Sequence, residues 1–185
     1  MELRPELLPP KLDQALMLRL SELADRLDGP SDEQDEADLV EFNQLAGTSL
    51  SADEFQGIYE AMSHKDWVRC LLWSEQIEPV PDVTRDELIE VIRRAKPEGG
   101  YFDEHEAYMM IFDTNVVRES ASALLFYPPG YDHRTQTWGE GRPIAEYDPT
   151  PEQIVDWAME PDPRFLVSPD GVAERDASIK PTWSW

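Results

Sequence analysis

A chain of 185 residues, 41% of them hydrophobic, is long enough for one ordinary domain or two small ones and can bury a core. Its 16 basic residues against 39 acidic ones leave a formal charge of −23, which repels nucleic acid and anionic membrane and draws in strongly basic partners. No apolar run approaches bilayer length, and the start MELRPELLPPKL lacks the basic-then-apolar layout of a signal peptide. The lone Cys70, set in the apolar string WVRCLLW, reads as a buried structural thiol. The expectation is a cytoplasmic protein without nucleic-acid or membrane partners.

Helix-start signals recur along the chain. KLDQALMLRLSELADRLDG places Leu12, Leu16, Leu20, Leu23 and Leu27 near one face at helical spacing, with Gly29 as its end. Ser31 to Gln34 reads as a capping box before DEADLVEFNQLAG, which Gly47 stops. Ser51 to Glu54 is a second box, ahead of an apolar stripe of Phe55, Ile58, Tyr59 and Met62. Trp67, Val68, Leu71 and Leu72 supply a further helix. EPVPDV then breaks the pattern, because its two prolines favour extended backbone.

Thr84 to Glu87 opens TRDELIEVIRRA, with Leu88, Ile89, Val91 and Ile92 as its apolar face. Asp103 to Glu106 caps the next helix, DEHEAYMMIFD, whose inner stripe is Ala107, Met110 and Ile111. SASALLFYP follows, its proline forbidding a further helical turn; the segment reads either as core filler, a short strand included, or as a displayed aromatic knob. PGYDHRTQTWGEGRPIAEYDP reads as a long loop or a small irregular excursion. Thr150-Pro-Glu-Gln153 combines an N-cap, a proline at the first helical position and a reciprocal glutamine, with Ile154, Val155 and Trp157 packing inward. From Pro161 the tail is proline-spotted, and its Trp183 and Trp185 are expected to dock on the protein's own surface.

Catalytic signatures are lacking. His64, His105 and His133 do not pair at metal-ligand spacing, and HEAYM lacks the second histidine of a zinc-protease helix. WGEGRP has no phosphate-cradling pattern, and no nucleophile elbow occurs. Acidic pairs abound, but in so acidic a chain their pairing carries little meaning. The expectation is a protein with no catalytic residues, no metal and no cofactor.

FDTNVVRESASALLFYP, residues 112 to 128, resembles the central signature of the colicin and pyocin nuclease immunity proteins, with an aromatic–acidic pair, a polar linker and a serine-to-Tyr-Pro corner. Upstream TRDELIEVI is similar to that family's first helix, and downstream TPEQIV to its last. The resemblance runs from about Thr84 to Trp157; Ala123 stands where the family has an aspartate, and Phe126 stands where it has a first tyrosine. The helix signals read as a mainly α fold with an additional N-terminal helical region over 1–78 and a tail over 161–185, and the resemblance implies a small antiparallel helical bundle over 82–160. It also implies a function, the one-to-one capture of a basic nuclease toxin. Outward-facing His105, Glu106, Met109 and Asp113 on the second helix would select the toxin, and Ser122, Phe126 and Tyr127 would form a shared aromatic hot spot. The other reading is an acidic helical protein-interaction module with no toxin partner.

Overall fold

The computed structural model describes residues 1–29, 35–96, 100 and 104–160. The fold is mainly helical. Seven α-helices occur among the described residues, with one two-stranded sheet. The chain forms two compact units. Among the described residues, one joins Met1–Pro9 to the chain from Ile77 to Glu160; the other is Pro10–Gln76. The expected 1–78 region is therefore not one body. Leu3 and Leu7 are buried in the core of the later helices, and that burial recruits the first nine residues.

In the Pro10–Gln76 unit, α1 (Gln14–Leu27) begins where Asp13 accepts hydrogen bonds from the backbone of Ala15 and Leu16, satisfying amides a helix start leaves open. Its face of Met17, Leu20, Leu23, Ala24 and Leu27 packs on α2 (Asp35–Ala46) and α4 (His64–Gln76). Phe42, Phe55 and Trp67 meet at ring-centroid distances of 4.9 to 6.0 Å in this core. Cys70 is buried. The Ser31 to Gln34 box lies outside the described residues.

The Ser51–Glu54 box forms, but it opens a 3-10 turn, Ala52–Phe55, rather than a continuous helix. Gly57 takes a left-handed φ of +83°, so the short α3 (Ile58–Ala61) starts afresh. The stripe expected of one helix is thus broken, and Tyr59 is 80% exposed. Asp28 fixes this turn: its carboxylate accepts from Gly57 N at 2.6 Å and Tyr59 N at 2.8 Å, and His64 Nε2 lies 2.9 Å away. Although burial opposes ionisation, the hydrogen bonds from Tyr59, His64 and Gly57 hold the Asp28 carboxyl below the usual carboxylate range.

In the other unit, α5 (Arg85–Ala95) opens on the expected box. Thr84 Oγ1 accepts from Glu87 N, and Glu87 Oε2 accepts from Thr84 N at 2.8 Å. Arg4 Nε donates to Glu87 Oε1 at 2.6 Å and ties the N-terminal segment to the same helix start. α5 packs against α6 (His105–Thr114) and α7 (Pro151–Ala158). Between α6 and α7 come a 3-10 helix, Ala121–Leu125, a hairpin and a 3-10 turn, Ile144–Glu146. The core is Leu3, Leu7, Leu88, Ile92, Tyr108, Ile111, Phe112, Leu124, Ile154 and Val155, among others. α7 carries the predicted Thr150 cap, Pro151 at its start and the reciprocal Gln153.

Two details depart from expectation. α6 is preceded by Glu104 with no side-chain cap; Asp103 lies outside the described residues. The predicted loop 129–149 contains the antiparallel pair β1 (Thr137–Trp138) and β2 (Arg142–Pro143), turned by Gly139 and Gly141 at φ +55° and +84°. These positive angles need glycine, and the three-residue turn Gly139-Glu140-Gly141 is not a two-residue Asn-Gly type.

Candidate partner-binding site

SASALLFYP is neither a strand nor core filler throughout. Ala121–Leu125 is a 3-10 helix, entered through Ser120 in the left-handed region at φ +50°. Three residues per turn put Ala121 and Leu124 on one side, where both are buried, and Ala123 and Phe126 on the other, where both are exposed. Tyr127 N donates to Ala123 O at 2.8 Å, and Pro128 ends the run. Phe126 is left 54% exposed and Tyr127 44%. Two adjacent aromatics therefore stand in solvent on a short hydrogen-bonded corner.

Both ends of that corner are fastened to neighbouring elements. At its start, Asp113 at the end of α6 accepts from Ser122 N at 2.6 Å and Ser122 Oγ at 2.7 Å. At its end, Tyr147 Oη donates to Leu124 O, and the Tyr147 ring stacks on Trp157 of α7 at 6.3 Å. Trp138 of β1 meets the same ring edge-on at 5.6 Å. Burial pushes the Tyr147 hydroxyl well above its ordinary pKa, so it remains a donor.

Asp113 does not face outward. The expectation that it selects a partner is corrected: its side chain is 6% exposed. The three residues before it, Met110, Ile111 and Phe112, are buried too, so this end of α6 is covered on the side where Ser122 sits. Burial raises the carboxyl to about 6, opposed by the hydrogen bonds from Ser122. Asp113 therefore fastens the display rather than being displayed. His105 and Glu106 are half-buried, and Met109 packs partly on the core. Ser122 spends its hydroxyl on Asp113 and is half-buried.

Sequence reasoning missed the neighbours of Tyr127. The Tyr127 ring stacks on Tyr131 with centroids 5.1 Å apart and planes 27° apart, and His133 lies 5.3 Å from it. Tyr131 meets His133 edge-on at 4.7 Å. Tyr147 was missed as well. The only signal was the recurrence of aromatic residues at Tyr131, Trp138 and Tyr147 along the loop, since a contact across a turn leaves no periodic trace. The immediate chain around the rings is mixed in sign, with Asp132 beside His133 and Arg134.

Across the chain, Arg4, Arg19, Arg26, Arg69, Arg85, Arg93 and Arg94 each sit in an ion pair with an acid of the same chain. The charge left to meet a partner is consequently anionic. Among the described residues no three His, Cys, Asp or Glu side chains converge as a metal site, and no helix is long and apolar enough to cross a membrane. The arrangement leaves an exposed aromatic edge pinned at both ends. No protein-family model, curated protein or solved structure matches this chain.

Proposed function

We propose that this protein is an immunity-type inhibitor that captures a basic toxin domain, a nuclease by preference, in a one-to-one complex. The observation that carries the reading is the pair Phe126–Tyr127, exposed on a 3-10 corner whose two ends are hydrogen-bonded to α6 and to the segment leading into α7. The succession of α5, α6, a short third helix and α7 agrees with what the LLFYP resemblance implies. A ring held on a rigid corner loses little entropy on binding and buries a large area, so aromatics of this kind dominate interface energies. A nuclease must grip phosphates and is therefore basic; an inhibitor of charge −23 reaches it fast and repels its nucleic acid once bound.

His105, Glu106 and Met109 contribute partner contacts from α6 in this reading, with Asp113 acting only through Ser122. The reading places the complex in the cytoplasm and requires no cofactor. The product of the gene beside this one is the partner to test. Co-purification at a fixed molar ratio, with nuclease activity abolished, is the expected result; failure of that product to bind favours an acidic interaction module with another partner.

A further inference from the structure

The chemistry of the partner can be specified further at this same surface, on the reading above that the partner is a basic protein. Among the described residues, three aromatic side chains elsewhere carry a guanidinium over their faces: Arg142 lies 3.5 Å above the Trp138 ring, Arg69 5.6 Å from Trp73 and Arg94 5.7 Å from Tyr108. Among the described residues, no guanidinium covers Phe126, Tyr127 or Tyr131. Of those rings, Phe126 and Tyr127 are exposed and Tyr131 is half-buried. Tyr127 and Tyr131 are stacked at 5.1 Å, His133 braces Tyr131 edge-on, and Phe126, next to Tyr127 in the chain, is 54% exposed.

A stacked pair of phenol rings offers its outer faces as regions of negative potential, which attract cations. A second copy of this chain is a poor occupant, because two bodies of charge −23 repel. Among cations, the guanidinium is flat and weakly hydrated and stacks on rings, whereas the ammonium of lysine is a strongly hydrated point charge. We propose that Phe126, Tyr127 and Tyr131 form a receptor for arginine side chains of a basic protein partner.

The test uses the full-length protein and two probes of equal charge, hexa-arginine and hexa-lysine. Calorimetry gives the affinities, and ring-proton chemical shifts locate the site. Hexa-arginine is expected to bind roughly two- to fivefold more tightly, the ratio expected of one exposed cation–ring contact, with shifts at Phe126, Tyr127 and Tyr131. The ratio is expected to fall to one in the double variant Tyr127→Leu, Tyr131→Leu and to persist in Tyr127→Phe, Tyr131→Phe. Equal affinities, a preference that survives the leucine changes, or wild-type shifts confined to other residues would each overturn the proposal. Arginine preference without toxin inhibition would sink the immunity reading alone, and inhibition with equal peptide binding would sink this proposal alone.

Discussion

Asp113 and Ser122 form a two-point contact between the end of α6 and the 3-10 corner, 2.6 Å through the backbone amide and 2.7 Å through the hydroxyl. A buried carboxylate with these two donors is costly to disturb. Ser122→Ala removes one donor and leaves the carboxylate under-satisfied, and it is expected to lower stability by about 1–3 kcal/mol. The shift of the denaturant midpoint measures it.

The same carboxyl makes stability depend on pH in a direction unusual for an aspartate. Burial raises it from the ordinary 3.8 of an aspartate to about 6 in the folded chain. A raised folded value means that the contribution to stability is fully present below about pH 4 and is lost as pH rises through about 6. The difference is on the order of 3 kcal/mol. Asp113→Asn is therefore expected to gain on the wild type between pH 4 and 7, levelling off above, when unfolding is followed at each pH. Two curves that stay parallel would show that Asp113 keeps an ordinary pKa.

Tyr147 fastens the other end of the corner. Tyr147→Phe keeps the ring against Trp157 and Trp138 but loses the bond to the Leu124 carbonyl. The expected cost is about 1 kcal/mol, with faster hydrogen exchange at the Phe126 and Tyr127 amides, both of which donate to Ala123 O.

Leu7 belongs to the core of a unit more than seventy residues away in sequence, and it is fully buried there. Leu7→Ala is expected to destabilise that unit by about 2–5 kcal/mol. Thermal unfolding followed through Tyr108 and Phe112 ring signals, which report on the same core, distinguishes this from a loss in the Pro10–Gln76 unit.

Tyr127 separates binding from stability. Being 44% exposed, its replacement by alanine is expected to shift the unfolding midpoint little. The same change is expected to weaken the toxin complex by roughly 2 kcal/mol or more. Association with the toxin is also expected to slow steeply as salt is added, since screening shortens the reach of the acidic field.

The helical character and the starts of α5 and α7 were legible in the sequence, because capping is a local matter of three or four residues. Thr84 with Glu87 and Thr150 with Gln153 form the reciprocal bonds their spacing predicts. What was not legible depended on contacts distant in sequence. Asp113 looked like an exposed helix-end acid because nothing local reveals that Ser122, nine residues on, folds back over it. Leu3 and Leu7 looked like part of an N-terminal region because burial against Leu88 and Ile92 has no sequence mark. The stripe of Phe55, Ile58, Tyr59 and Met62 looked continuous because apolar spacing carries no sign of the left-handed backbone at Gly57 that divides it. The Tyr127–Tyr131 stack closes across a proline turn, where neither helical nor strand periodicity applies.

The most direct trial is a stoichiometric titration of nuclease activity. The basic product of the adjacent gene is purified, and its cleavage of DNA or RNA is followed as this protein is added. Activity should decline in a straight line and vanish when the two are equimolar, and the Tyr127→Ala protein should require a clear excess. Undiminished cleavage in the presence of a large excess of the wild-type chain would contradict the account.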